Sequence, residues 1–384
     1  MKKLRIAIYS DDYKPCVDGT VEYIVNLRKE LERRGHEVFI VTTGRKATEN
    51  LKKHDKHLIV YKGVKFIMYP DYTVSLPKFY DKKIDNIAPD IIHSQTPLSL
   101  GLSAVYAAKR LSIPLVSTFH TFLADEDVIK SFVPINKLLY RVIKFSLERY
   151  LEYVYSKSTI NIALSKRAQT YLNGIGVKNC KLIRTGAAEK LKSWRQTKQI
   201  SRKHIGIGKN EKVILYLGRV SNEKNLDVLV KAARLLKKKG FTIIIAGKGP
   251  ALNKYKSLSN KLNTGVIFPG FVDEKLKKYY FRAADIFCNP SKFENASIVN
   301  FEAMAAGVPL LIAKDSSQSE YVMPPIGGET FNQESEADLA SKAEMMLSRL
   351  DKYKPTKILG TFKEHVDKVE ELYYGLIDGA RKKS

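Results

Sequence analysis

Short apolar runs alternate with longer stretches of helical periodicity along nearly the whole chain, and this happens twice, either side of a basic, irregular stretch. A run that is apolar at consecutive positions, with no polar residue between, suits a strand covered on both faces. Strands of that kind separated by helices build parallel sheets with helices packed on them. The length of 384 residues exceeds what one core usually supports, so two α/β domains are expected. With 44% apolar and 28% charged residues, disorder, collagen and coiled-coil arrays are excluded.

The first series opens with Leu4 to Tyr9, which reads as a buried parallel strand, and passes into a polar loop through Pro15, Asp18 and Gly19. Val21, Ile24, Val25, Leu27 and Leu31 follow helical spacing up to Gly35, and Glu37 to Thr42 is apolar again. Asp90 to His93, a helix through Leu102 to Leu111, the strand Pro114 to Phe119, a long helical stretch after Asn136 and the strand Thr159 to Leu164 continue the alternation. Periodicity lapses between Gly174 and Asn210, which marks the domain boundary. The second series is Val213 to Leu217, a helix from Asn225 to Lys239, then strands at Phe241 to Ala246, Val266 to Phe268, Asp285 to Asn289 and Pro309 to Ile312. The expected domains are 1–185 and 186–361, each Rossmann-like, with the amphipathic segment Phe362 to Ile377 packing back on the first.

Sixty-six Lys and Arg against forty Asp and Glu give a net charge of +26 and a pI near 9.7. Such a surface attracts phosphates, nucleic acid or anionic membrane, and a surface adapted for solubility is the other reading. No run of eighteen apolar residues occurs, and acidic residues follow the start too soon for a signal-peptide core, so a cytoplasmic protein is expected. Cys16, Cys180 and Cys288 have neither CxxC nor CxxH spacing, which suggests reduced thiols, with no disulfide framework and no zinc site.

Neither G-x-G-x-x-G after a first strand nor the P-loop pattern is present, so hydride transfer and ATP hydrolysis lose ground. The second series instead has Gly218 and Arg219 at a strand end and Lys224 at the mouth of a helix. Two cations at the carboxyl end of a parallel strand suit a diphosphate, although Lys224 alone is equally a cap on a charged face. After Asn289-Pro290-Ser291 come Glu294 and Glu302, with seven residues between them. A helix opening near Ser297 leaves Glu294 in the loop and Glu302 inside the helix, and its first N–H groups face an anion. One carboxylate then suits sugar hydroxyls and the other a ribose, but a glutamate pair at this spacing also arises by chance.

Four strings taken together, DDYKPCVDGTVEYIVNLRKELERRGHEV, GRVSNEKNLDVLVKA, AGKGP and AADIFCNPSKFENASIVNFEAMAAGVPLL, resemble the retaining nucleotide-sugar glycosyltransferases of family 4. That resemblance covers nearly the whole chain and implies the GT-B fold, two facing Rossmann-like domains with a cleft between them. It implies that Arg219 and Lys224 hold the donor diphosphate and that Gly19 lets the first-domain loop approach it. Glu294 is implied to bind hydroxyls of the transferred sugar, Glu302 the nucleotide ribose, and His120 to lie beside the sugar. Val272, after the Gly270 turn with Phe271 and Asp273, falls near the base, and Ser297, Ile298 and Val299 at the helix start complete the implied donor site. The family generally needs no bound metal or other cofactor. Asp18, Ser297, Ser316-Ser317 and Thr185-Gly186-Ala187-Ala188 depart from the common pattern, which leaves a non-catalytic member possible.

The resemblance implies transfer of a sugar from a nucleoside diphosphate to a hydroxyl with retention. With no second carboxylate evident as nucleophile, front-face attack is favoured, the leaving phosphate taking the acceptor's proton. The linker around Gly174 to Gly186 is the hinge candidate. In the stretch Asn136 to Ser156, Lys137, Arg141 and Lys144 recur on one side and Leu139, Val142, Ile143 and Leu147 on another. With the preceding apolar loop Phe132-Val133-Pro134-Ile135 this reads either as a basic helix lying on an anionic membrane, serving a lipid acceptor, or as an ordinary helix covering the sheet. A soluble sugar or polysaccharide acceptor, and a non-catalytic nucleic-acid or anionic-surface binder, remain as rivals; no RNA-binding motif supports the last.

Overall fold

In the computed structural model, which describes residues 2–16, 18–44, 46–65, 73–130, 136–186, 195–292, 294–322, 324–355 and 360–382, the apolar runs form parallel strands. The side chains of Asp127 and Lys130 are also outside the description. The chain divides into two compact units, Met1–Thr185 with Phe362–Ser384, and Gly186–Thr361.

In the first unit the strands are β1 (Arg5–Ser10), β2 (Glu37–Gly44), β3 (Leu58–Lys62), β4 (Val64–Lys65), β5 (Thr73–Val74), β6 (Ile91–Ser94), β7 (Leu115–Phe119), β8 (Ile160–Ala163) and β9 (Cys180–Leu182). Seven of them form one parallel sheet in the order β3-β2-β1-β6-β7-β8-β9, while β4 and β5 pair with each other antiparallel. The order reverses between β1 and β6, where Ile6 sits opposite Ile91 and Tyr9 opposite Ser94. In sheets of this kind ligands bind beyond the carboxyl ends of the strands at that reversal. Two edge strands were not expected: β3 carries the short apolar run Leu58 to Tyr61, and β9 carries none. Cys180–Leu182 is three residues long and only half-buried, so it lacks the signal of a covered strand.

The last helix, Phe362–Arg381, buries Phe362, Val366, Val369, Tyr373 and Ile377 in this unit, against the helix Gly19–Arg33. Polar groups fix its placement. Tyr23 Oη lies 2.8 Å from His365 Nε2, His93 Nδ1 2.5 Å from Tyr373 Oη, and His36 Nε2 2.8 Å from Glu370 Oε1. Arg34 donates to Glu370 at 2.6 Å. Because these partners are buried, an unmatched one costs about 1–3 kcal/mol, so the pattern selects one docking register.

The second unit has β10 (Lys212–Leu217), β11 (Phe241–Ala246), β12 (Ile267–Gly270), β13 (Ile286–Asn289), β14 (Leu310–Ala313) and β15 (Gly328–Phe331), all parallel in the order β12-β11-β10-β13-β14-β15. Ile214 and Tyr216 enter one core with the helices Leu226–Lys237 and Glu336–Ser348, while Val213, Leu215 and Leu217 enter another with Phe281, Ala303 and Met304. Alternate residues of one strand therefore serve opposite cores, which is why β10 is continuously apolar. Two glycines bring the loops after β10 and β11 together. A Cβ on Gly247 would lie 1.8 Å from the carbonyl oxygen of Gly218, and one on Gly249 2.2 Å from that of Val220. Val220 N–H donates to Lys248 O at 2.9 Å, so backbone ties the loop carrying Arg219 to the loop after β11.

Candidate active site

The reversal of the second sheet lies between β10 and β13, and Arg219 and Lys224 follow the carboxyl end of β10. Tyr216 Oη donates to the Arg219 carbonyl at 2.7 Å, and Lys224 ends a 3-10 turn, Asn222–Lys224. Asn225, in a left-handed conformation with φ of 53°, donates to Gln333 O at 2.8 Å and so ties the turn to a neighbouring loop. Lys224 Nζ lies 2.5 Å from Glu294 Oε1, and both side chains are largely buried. Burial works against the Lys224 ammonium, but the charges of Glu294 and Glu223 outweigh it and raise its pKa, while Arg219 is near enough to oppose them. A Lys and an Arg brought this close at a strand end are chemically suited to an anion, Lys224 being paired with Glu294 in this structure.

Ser297 precedes the helix Ile298–Ala305, with Glu294 in the loop before it and Glu302 inside it, 1% exposed. Asn289, at the end of β13, holds that loop: its Nδ2 donates to Gln318 Oε1 at 2.8 Å, Asn300 Oδ1 at 3.0 Å and Ser297 Oγ at 3.2 Å. The Ser297 side chain caps no backbone N–H of the helix. Lys277 Nζ lies 3.4 and 3.3 Å from the two oxygens of Glu302, so the buried carboxylate has a buried cation. Lys277 carried no signal in the sequence, since a lone lysine in an amphipathic helix reads as solvated. Val272 and Ile298 are 6% and 8% exposed, Val272 within the core and Val299 partly buried against it. These three positions offer a ligand mainly backbone; Phe271, by contrast, is 53% exposed.

In the first unit Asp11, Asp12 and Gln95 follow the carboxyl ends of β1 and β6. Asp11 accepts from Thr96 Oγ1 at 2.7 Å, from Leu100 N–H at 3.0 Å and from Ser99 Oγ, and burial, partly offset by these bonds, raises it to about 6. Asp12 is raised to about 9, by burial first and then by the charge of Asp18. Asp18 is the N-cap of the helix Gly19–Arg33 and accepts from Val21 N–H at 2.8 Å. A Cβ on Gly19 would meet nothing within 4 Å, so the chain itself does not require glycine there. One ligand atom each of Asp12, Cys16 and Asp18 lies within 4.8 Å of the others, a donor grouping the sequence spacing did not reveal. The raised pKa of Asp12 favours its neutral form, which lessens the repulsion between the two carboxylates of that grouping.

His120 follows β7. Its Nε2 lies 2.8 Å from Gln95 Oε1, and the ring meets that of Tyr23 edge-on at 4.9 Å. Burial pushes its pKa down to about 3, with Asp18 opposing, so the imidazole is neutral at physiological pH. His93 is pushed to about 3 and His365 to about 4 by the same cause.

In the helix Lys137–Ser156 the reading as an ordinary helix covering the sheet fits only the second half. Leu139 and Val142, read as part of its apolar side, are 46% and 56% exposed, as are Leu138 at 72% and Phe145 at 65%. Burial falls instead on Leu151, Val154 and Tyr155 in its second half. Lys137 and Arg141 are exposed beside those apolar residues, and Lys144 Nζ lies 3.7 Å from Glu148 Oε1. The loop at 132–135, like Ala187 and Ala188, lies outside the described residues. Among the described residues no helix is long and apolar enough to cross a membrane.

A profile described as glycosyltransferase family 4 matches residues 17–187, and one described as glycosyl transferases group 1 matches residues 197–356. The alpha-monoglucosyldiacylglycerol synthase of Streptococcus pneumoniae is 32% identical over 80% of this chain and 70% of its own length. The chain belongs to the family 4 glycosyltransferases. This glycosyltransferase is also 27% identical to the alpha-monoglucosyldiacylglycerol synthase of Acholeplasma laidlawii, over 87% of its chain and 86% of that protein. An Anabaena protein crystallised with UDP and glucose superposes with a TM-score of 0.71 at 16% identity, over 99% and 98% of the two chains. The fold of the glycosyltransferase is GT-B, with two Rossmann-like domains.

Proposed function

We propose that the protein transfers glucose from a nucleoside-diphosphate donor to the hydroxyl of a diacylglycerol-type lipid with retention of configuration, as a peripheral protein on the cytoplasmic membrane face. One observation carries the lipid acceptor: a helix with exposed Leu138, Val142 and Phe145 beside Lys137 and Arg141, in a chain similar over most of its length to two diacylglycerol glucosyl synthases. Apolar side chains flanked by cations suit the interface of an anionic bilayer, where each Lys or Arg contributes roughly 1 kcal/mol. The word alpha in both relatives' names supports retention, given an α-configured donor.

In the proposed reaction the bond between the sugar's anomeric carbon and the diphosphate oxygen breaks. A bond forms from the lipid hydroxyl oxygen to the same face, and the hydroxyl proton goes to the departing phosphate. Arg219 and Lys224 stabilise the diphosphate as its charge develops, an interaction stronger in the transition state than before it. Glu294 takes sugar hydroxyls, Glu302 the ribose, and the backbone at Val272, Ser297, Ile298 and Val299 lines the nucleotide. Gly19 leaves the approach of a phosphate open, and neutral His120 serves a sugar hydroxyl. The reaction needs no metal or other cofactor for this chemistry.

The test is a donor and acceptor matrix: UDP-, GDP- and ADP-sugars with diacylglycerol in mixed vesicles, or with soluble sugars, reading glycolipid formation and anomeric configuration. An α-linked glycolipid from one donor is the expected result. Product on soluble acceptors alone, or a β-linked lipid, overturns the reading. Exchanging Lys137, Arg141 and Lys144 for Glu is expected to cut binding to anionic vesicles at least about tenfold. Unchanged cosedimentation removes the membrane part.

A further inference from the structure

Gln95 is the first residue beyond β6, at the reversal of strand order in the first sheet, and is 1% exposed. Its backbone N–H donates to Tyr9 O at 2.8 Å, which fixes it against the neighbouring strand. The side-chain carbonyl Oε1 stands 2.8 Å from His120 Nε2, while the amide nitrogen Nε2, buried, has no hydrogen-bond partner. A carbonyl oxygen only accepts, so the proton of this pair is on His120 Nε2. Since burial keeps the imidazole neutral, Nδ1 then carries a lone pair, and no hydrogen bond reaches it among the described residues. The bond at one ring nitrogen thus decides what the other offers. A buried amide donor left without an acceptor is destabilising, and its position at the ligand-binding end of the sheet points to a bound hydroxyl as the missing partner.

We infer that Gln95 is a positioning residue: its carbonyl fixes His120 in the Nε2–H tautomer, leaving Nδ1 as an acceptor, and its amide nitrogen donates to a hydroxyl oxygen of a bound substrate. The inference rests on the reading of His120 as a group beside the reacting sugar. Nothing in the sequence marks Gln95, because a lone glutamine after an apolar run is ordinary.

The test uses the full chain labelled with ¹⁵N-histidine, the His120 resonances being identified by their loss in His120→Gln. The wild type is expected to show the Nε2–H pattern at His120. Gln95→Leu is expected to show a tautomer mixture and a kcat at least about tenfold lower, the effect of a misaligned reacting group. Gln95→Glu, whose carboxylate also accepts from Nε2–H, raises the pKa of the ring through its charge, so at a pH above that raised value it keeps the Nε2–H tautomer and most of kcat. It lacks the amide donor, so KM rises for whichever substrate supplies the hydroxyl: for the donor if it is on the sugar, for the lipid if on the acceptor. An Nδ1–H tautomer in the wild type, or an unchanged tautomer and kcat in Gln95→Leu, overturns the inference, as does Gln95→Glu with both KM values unchanged. Should His120→Gln turn over like the wild type, the reading of His120 fails, while the tautomer spectra still decide whether Gln95 holds the ring.

Discussion

The two sheets share a strand order through their first six main strands, yet their reversal points are furnished in opposite ways. Beyond β10 and β13 side chains of opposite charge meet in pairs, Lys224 with Glu294 and Lys277 with Glu302. Beyond β1, β6 and β7 burial drives the groups toward neutrality: His120 loses its proton, and Asp11 and Asp12 hold theirs more tightly than usual. One backbone plan therefore supports two electrostatic environments. The charged one suits the anionic donor of our proposal, and the neutral one suits uncharged hydroxyls.

The largest expected effect breaks the charged side of that contrast. Lys224→Ala or Arg219→Ala is expected to lower kcat by about 10²-fold or more, on the order of 3 kcal/mol of lost transition-state stabilisation. Near-wild-type turnover in steady-state assays of either variant would leave the diphosphate role without support.

A smaller effect separates the two glutamates. Glu302→Ala is expected to weaken binding of the free nucleoside diphosphate about tenfold or more, and Lys277→Met to weaken it by less, since that variant leaves the carboxylate present but unpaired. Glu294→Ala is expected to spare nucleotide binding and lower kcat. Calorimetry with free nucleotide decides, and equal losses in the Glu294 and Glu302 variants contradict the division.

The smallest effect sharpens the neutral side. His93, His120 and His365 have folded values of about 3, 3 and 4, below the ordinary 6.5. Between those values and 6.5 the unfolded chain binds more protons, so stability is lost as pH falls through that window. Asp12 has the opposite sign: with a folded value raised to about 9, the folded chain binds the extra proton above the ordinary carboxylate range, and stability declines as pH rises toward 9. Wild-type thermal unfolding is expected to show greatest stability near neutral pH. Asp12→Asn should flatten the alkaline slope and steepen the acid one, because the Asp12 proton opposes the histidines between the ordinary carboxylate range and 6.5. An alkaline slope that persists in Asp12→Asn refutes the assignment.

Much of the framework was readable because parallel strands covered on both faces leave unbroken apolar runs, as in Ile6 to Tyr9 and Val213 to Leu217. Three of the four margin strands were not, although the margin strand Ile267–Gly270 was read as Val266 to Phe268. Leu58–Lys62 is mostly half-buried, Cys180–Leu182 has three residues, and Gly328–Phe331 carries Glu329 and Thr330. At the site, the spacing of Glu294 and Glu302 and the helix start at Ser297 could be read, since each depends on residues close in sequence. Lys277 and Gln95 could not, because what makes either notable is a partner 25 residues away.

The sequence by itself determined two α/β series, the loop and helix that carry the glutamate pair, and a strongly basic chain, because periodicity, turn chemistry and charge are local or additive. Tertiary structure alone decided which of those charges survive. Lys224 is held charged because folding sets Glu294 within hydrogen-bonding reach, whereas His93 and His120 become neutral because folding withdraws water and supplies no such partner. It also decided that His93 meets Tyr373 across 280 residues and that Tyr23 meets His365 across 342, contacts that exist only after the last helix docks. Burial and pairing are properties of three-dimensional neighbours, and no spacing rule along the chain contains them.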